Sequence, residues 1–183
     1  SEGNGAGEFA SVQQPTMEGF ERLSEYAPRW NLVEDGPVRT VYRTECRTRH
    51  CTAATQITVS HAIKRIDVDV ELLGWDGTHS REYRLAFPVN APDATVAYDA
   101  PMGVVEVGKS EIDGAAGERY TDNASEVHPR EAQDWFHASG GGCGMTVSSS
   151  VAVFDWVDPT PAPVDYPVLQ PVLLASRKSC HGE

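Results

Sequence analysis

The chain has 183 residues, enough for one good hydrophobic core or two small ones, and its hydrophobic content of 40% is ordinary for a globular protein. Its 27 acidic residues outnumber 15 Lys and Arg residues, and the formal charge of −12 argues against nucleic acid as a partner, because phosphate binding needs a basic patch. No apolar run approaches the length needed to cross a bilayer, so we expect no membrane partner either.

Residues 1–29 are predicted to be a flexible segment that contains one short helical turn. Residues 1–11 are rich in Gly, Ser and Glu, a composition typical of mobile chain. Residues 17–23 follow Pro15 and Thr16, and a helical turn there would place Phe20 and Leu23 on one face. Residues 30–183 are predicted to form one β-sandwich domain. Because residues 176–183 end without a turn or a polar tail, we expect this domain to be a piece of a longer protein.

Period-2 alternation predicts a mainly β fold of antiparallel sheets packed face to face. In residues 66–72 every second side chain is apolar, and residues 83–87 alternate again before Pro88. The alternation predicts that six side chains are buried: Ile66, Val68, Val70, Leu85, Phe87 and Val153. Strands are predicted at residues 30–33, 38–47, 51–60, 65–73, 80–87, 94–99, 103–107, 135–138, 145–148, 150–156 and 167–175. Residues 109–127 are predicted to be a long loop, and Pro167 and Pro171 favour an edge position for the last strand.

Several short segments share an order and spacing with one family of enzymes. Arg65-Ile66-Asp67 is followed by Trp75, a polar turn and Ala86-Phe87-Pro88. Residues 98–103, YDAPMG, and residues 130–135, REAQDW, come next, and strand-like residues 145–153 and 173–177 complete the series. In this order the segments resemble the C-terminal β-sandwich region of glycoside hydrolase family 38, the α-mannosidases, over roughly residues 30–183.

The resemblance implies a fold, a function and partners. The fold would be an antiparallel supersandwich, galactose-mutarotase-like. The function would be that of a non-catalytic domain of an α-mannosidase-like hydrolase, which contacts a mannose-containing glycan and supports the catalytic domain of the same parent chain. Family members hold zinc and the nucleophile in that catalytic domain, so we assign neither a catalytic residue nor a cofactor to this chain. Two alternatives stay open: a free-standing carbohydrate-binding module, and a protein-interaction sandwich with no sugar role.

Three residues are candidates for carbohydrate contact. Flat aromatic rings stack on the apolar faces of sugars, which favours Trp75, in a turn, as the first choice and Trp135, in a strand, as the second, together with Arg130. Trp135 neighbours Phe136, so only one of the two points inward. Arg130 is able to donate a two-pronged hydrogen bond to hydroxyl groups. The alternative roles are packing over a sheet edge for Trp75, core packing for Trp135 and a surface ion pair for Arg130.

Three other groups of residues have mainly structural interpretations. Asp67, Asp69 and Glu71 share one strand face, which indicates a solvated outer face rather than a calcium site, because calcium needs oxygen ligands from several segments. Cys46 and Cys51 flank a short turn, where they are either two free thiols or a disulfide, and too few ligands surround them for zinc. Residues 140–144, GGGCG, are interpreted as a bend between two strands rather than a phosphate loop.

Overall fold

The computed structural model describes residues 19–110 and 129–176, which fall into two compact units. We call residues 19–80 the meander unit and residues 81–175 the sandwich unit. The described residues are mainly β, and the strand pairs given below are antiparallel, which confirms the predicted fold class. Residues 1–11 and most of the predicted loop at 109–127 lie outside the described residues.

The meander unit is a 3-10 turn followed by four strands in sequential order. Arg22 is extended, so the helical turn begins after it and covers Leu23–Tyr26 rather than the predicted residues 17–23, and Ala27 ends it with a φ of 48°. Residues 17 and 18 of that prediction lie outside the described residues. The four strands are β1, Asn31–Asp35; β2, Arg39–Arg47; β3, Thr52–Ser60; and β4, Ile66–Leu73.

The register of β3 and β4 gives the meander sheet one apolar and one polar face. Ile57 lies opposite Val68 and Thr55 opposite Val70, so the alternating side chains of β4 lie on the predicted sides. Ile66 is nevertheless 62% exposed, and the prediction that it is buried was wrong. Val68 and Val70 are half-buried. Alternation identifies the apolar face of a strand, but it does not say how much of that face is covered.

The first strand of the meander is irregular. Leu32 pairs with Tyr42 and Glu34 with Val41, so Val33 is an extra residue that forms a β-bulge. All five residues of β1 are exposed. A bulge bends its strand and interrupts the ladder of backbone hydrogen bonds.

The sandwich unit contains two sheets. One sheet has the order β11-β10-β7-β8, and the other has the order β5-β13-β12-β9 with β6 also paired to β13. The strands are β5, Arg81–Arg84; β6, Phe87–Pro88; β7, Thr95–Ala100; β8, Gly103–Glu106; β9, Arg130–Glu131; β10, Trp135–Gly140; β11, Cys143–Ser148; β12, Val153–Asp155; and β13, Val168–Ser176.

Aromatic side chains from both sheets form the core of the sandwich unit. Phe136 of β10 stacks on Phe154 of β12 with a centroid separation of 4.3 Å and an angle of 8° between the rings. Tyr98 of β7 lies 5.4 Å from Phe154, and Trp156 lies 5.8 Å from it. Phe136 and Phe154 are 1% and 0% exposed, and Leu169 of β13 is also fully buried. This arrangement is a β-sandwich, and Trp156 belongs to its core.

The last strand does not lie at an edge. β13 lies between β5 and β12, so the edge position predicted from Pro167 and Pro171 was wrong. Pro171 lies where the pairing with β5 ends: β5 stops at Arg84, and the N–H of the next residue, Leu85, donates to the Pro171 carbonyl at 3.3 Å, so the missing N–H of Pro171 falls at the end of the ladder. Leu85, like Phe87 and Val153, was predicted to be buried and is half-buried.

An ion-pair network is buried within the second sheet. The guanidinium of Arg84 donates to the carboxylate of Glu82 at 2.7 Å and to that of Asp155 at 3.0 Å. The side chains of Arg84 and Asp155 are only 10% and 7% exposed. Gln170 accepts from Arg84 at 3.5 Å and donates to the carbonyl of Val157 at 2.8 Å. The network therefore joins strands β5, β12 and β13.

Candidate carbohydrate-contact face

The outer side of the sheet β11-β10-β7-β8 carries one of the predicted aromatic residues. Because successive side chains alternate and Phe136 is buried in the core, Trp135 lies on the opposite side of β10 and is half-buried. We call this side the Trp135 face. Its outward side chains are those of Thr95, Ala97, Asp99, Val104, Glu106, Trp135, His137, Ser139, Thr146 and Ser148.

One carboxylate fixes the backbone at Trp135. Asp99 of β7 accepts hydrogen bonds from the N–H groups of Gln133, Asp134 and Trp135 at 2.9–3.1 Å. Partial burial raises the pKa of Asp99, but these N–H groups, with that of Trp135 first, outweigh it and lower the pKa below its ordinary value. The residues lie 34 to 36 positions apart in the sequence. The backbone that carries the Trp135 indole is therefore held in place by contacts within the protein, without a ligand.

Next to Trp135 on the same face, the ring of His137 is held to one side. His137 lies directly opposite Thr146, whose hydroxyl is 2.8 Å from Nδ1. A Cβ on Gly144 would lie 3.1 Å from Cε1 of His137 and 2.7 Å from Cβ of Ser139, so a larger residue there would displace the ring. The preceding glycines, Gly141 and Gly142, have φ values of 54° and 82°, which form a two-residue hairpin turn. The predicted bend at residues 140–144 is thus confirmed.

On the Trp135 face, a gap separates the side chain of His137 on β10 from that of Glu106 on β8. Ala97 of β7 lies between His137 of β10 and Glu106 of β8, and its side chain is a single methyl group. With neighbouring strands about 4.8 Å apart, the Cα atoms of His137 and Glu106 are about 9.6 Å apart. Glu106 pairs with Lys109 at 2.9 Å, and its backbone N–H donates to the hydroxyl of Ser110 at 2.7 Å. We call this gap the Ala97 notch.

The other predicted site residue of the sandwich unit lies on the second sheet. Arg130 belongs to β9, which pairs with β12, and its guanidinium lies 5.4 Å from the centre of the Trp156 ring. This is a cation–π contact with a core residue. Arg130 and Trp135 are therefore five residues apart in the sequence, but they lie on different sheets of the same unit.

The third predicted residue, Trp75, lies in the meander unit, after β4. Its ring meets that of His50 edge to face, with the centroids 5.9 Å apart. His50 lies in the turn between β2 and β3, where its Nδ1 is 2.8 Å from the carboxylate of Asp76 and 3.2 Å from the hydroxyl of Thr78. Nε2 of His50 is buried and has no hydrogen-bond partner. This cluster joins the two turns at one end of the meander sheet, and sequence reasoning missed it because the partners are 26 residues apart.

The Asp76 carboxylate gives a pH-dependent prediction. The hydrogen bond from His50, followed by those from Thr78, lowers the pKa of Asp76 from 3.8 to about 2. Because the folded-state pKa is depressed, this contribution to stability is present above pH 3.8 and is lost as the pH falls toward 2. In a carboxyl-carbon NMR titration, we expect a midpoint near 2 for Asp76 in the wild type and a midpoint closer to 3.8 in His50→Ala. A wild-type midpoint near 3.8 would contradict the contact.

The carboxylates and cysteines of the meander unit have structural roles. Asp67 pairs with Arg65 at 2.7 Å and Glu71 approaches Arg43 at 3.9 Å, and both acidic side chains are more than 40% exposed, as on a solvated outer face. Cys46 lies opposite Ala53 of β3, and Cys51 lies in the turn before that strand, so the two cysteines do not face each other across the ladder. Both are buried free thiols.

Over the described ranges, 19–110 and 129–176, no three His, Cys, Asp or Glu side chains lie close enough to hold a metal ion. The zinc that the resemblance implies is expected in a catalytic domain, and no residue described above fits it. Within the same ranges, no helix is long and apolar enough to cross a membrane. Comparisons of the chain with protein-family models, with curated proteins and with solved structures found no match.

Proposed function

We propose that this chain is a non-catalytic β-sandwich protein that contacts neutral carbohydrate and supports the catalytic domain of an α-mannosidase-like glycoside hydrolase. The observation that carries the proposal is the Trp135 face. An aromatic ring lies there among mostly small and polar side chains, on a backbone anchored by Asp99. Such a ring offers a large apolar area at a low entropic cost, which suits the C–H face of a sugar. The order of segments that resembles the α-mannosidases supplies the sugar class.

The meander unit supports the scaffolding part of the proposal. On its apolar face, Leu32 and Ile66 are 55% and 62% exposed and Tyr42 is 40% exposed. Exposed apolar patches of this kind mark surfaces that other protein surfaces cover. The same observation favours the alternative of a protein-interaction sandwich with no sugar role, and sugar binding distinguishes the two.

A titration with mannose and mannobiose tests the proposal. We expect binding in the millimolar range, about 4 kcal/mol, because a small sugar offers few atoms. Trp135→Ala should abolish measurable binding, and the indole N–H signal of Trp135 should shift in wild-type NMR spectra. The protein-interaction alternative gains support if no signal moves at tens of millimolar sugar.

Trp75 is the competing platform, and Trp75→Ala is the matched comparison in the meander unit. The ring of Trp75 is engaged with His50, so we expect Trp75→Ala to bind sugar as the wild type does. If Trp75→Ala loses binding while Trp135→Ala keeps it, the sugar face belongs to the meander unit instead.

A further inference from the structure

We propose that the Ala97 notch is a subsite for one neutral pyranose ring, which stacks on Trp135 and places its hydroxyl groups between His137 and Glu106. The inference deepens the proposed function and rests on it. It names the residues that hold the sugar, and it states that they accept a neutral sugar rather than an acidic one.

The shape of the notch comes from residue size. Ala97 contributes only a methyl group at the middle of the sheet, while both neighbours in its row carry long polar side chains. The His137 ring leans toward β11, over Gly144, and so away from the half-buried Ala97. With about 9.6 Å between the flanking backbones, the notch is wide enough for one ring but not for two side by side. Trp135, two residues before His137 on β10, closes one end of it.

The polar groups of the notch suit hydroxyl groups. Nδ1 of His137 is engaged by Thr146, and Nε2 makes no hydrogen bond to a described residue. A sugar hydroxyl both donates and accepts, so it pairs with Nε2 in either tautomer of the ring. The carboxylate of Glu106 accepts from two neighbouring hydroxyl groups, and Lys109 beside it supplies a donor.

The charges around the notch select against acidic sugars. Asp99 and Glu106 place two carboxylates on β7 and β8, and Lys109 offsets only one of them. The chain as a whole carries a formal charge of −12. A uronate would bring a further negative charge to this surface, and like charges at short range are repelled. The subsite therefore accepts a neutral hexose in preference to its uronic acid.

The test uses the full chain, methyl α-mannoside as the probe and NMR titration as the readout. Glu106→Gln should weaken binding about tenfold, since it removes a charge-assisted acceptor, and His137→Ala should weaken it about fivefold. Ala97→Leu fills the notch and should abolish binding. The matched control is Glu131→Gln, an exposed carboxylate on the other sheet, which should bind as the wild type does. Mannuronate should bind more weakly than the neutral glycoside.

The outcomes separate the inference from the proposed function. If Trp135→Ala loses binding while Ala97→Leu and Glu106→Gln stay within twofold of the wild type, the protein contacts sugar but the notch is not the subsite. If mannuronate binds as well as methyl α-mannoside, the charge selection is wrong. If the wild type binds no sugar at all, the proposed function fails and the subsite fails with it. Melting curves for Ala97→Leu exclude misfolding as the cause of its loss.

Discussion

Replacing Arg84 by Met is expected to destabilise the sandwich unit by about 3 kcal/mol, among the largest effects of any substitution in the chain. The substitution removes the cation and keeps most of the side-chain volume. It leaves the carboxylates of Glu82 and Asp155, 16% and 7% exposed, without the guanidinium that joins them. Asp155 retains hydrogen bonds from the N–H groups of Trp156 and Val157, which limits the loss. Urea unfolding followed by Trp fluorescence measures the change.

The matched control removes a cation from an exposed pair in the same unit. Lys109 is 73% exposed and pairs with Glu106, so Lys109→Met should change the free energy of unfolding by less than about 1 kcal/mol. If Arg84→Met and Lys109→Met cost the same, the Arg84 network is not buried as described.

Replacing Phe154 by Ala is expected to destabilise the sandwich unit by about 3–5 kcal/mol. The Phe154 ring is fully buried and contacts the rings of Phe136, Tyr98 and Trp156. Truncation would leave a cavity at the point where the two sheets meet, and each of the three rings would lose a partner. The midpoint of urea unfolding should fall, and the near-ultraviolet circular dichroism of the aromatic cluster should weaken.

A smaller truncation in the core and a substitution at the surface serve as controls for Phe154→Ala. Phe154→Leu keeps most of the apolar volume and should cost clearly less than Phe154→Ala. Met102 is fully exposed in the turn between β7 and β8, so Met102→Ala should stay within about 0.5 kcal/mol of the wild type. A Phe154→Ala protein as stable as Met102→Ala would contradict the packing of the two sheets.

The positions of the strands were predictable from the sequence because alternation and turn residues are local signals. Strand β2 was expected at residues 38–47 and covers Arg39–Arg47, and strand β4 was expected at residues 65–73 and covers Ile66–Leu73. How far each side chain is buried was not predictable: Ile66 was expected to be buried and is 62% exposed. Burial depends on what lies above a face, and that is decided by residues far away in the sequence.

The candidate face was predictable only in part, for the same reason. Trp135 and Phe136 are adjacent aromatic residues, and nothing local says which of them points inward. The pairing of Phe136 with Tyr98 decides it, across 38 positions of sequence. The contact of Asp99 with the backbone at Trp135, and the position of the small Ala97 between His137 and Glu106, also depend on which strands pair with one another. The resemblance to α-mannosidases and the sugar role stay predictions.

The bulge at Val33 has a consequence for how the meander unit meets other chains. Among the described strands, β1 is one of the two edges of the meander sheet, the other being β4, and an open edge offers unpaired N–H and C=O groups to which a strand of another chain is able to pair. The extra residue breaks the regular spacing of those groups, and Glu34 and Asp35 add charge beside it. Growth of the sheet by strand addition, the first step toward fibrils, is therefore obstructed at this edge.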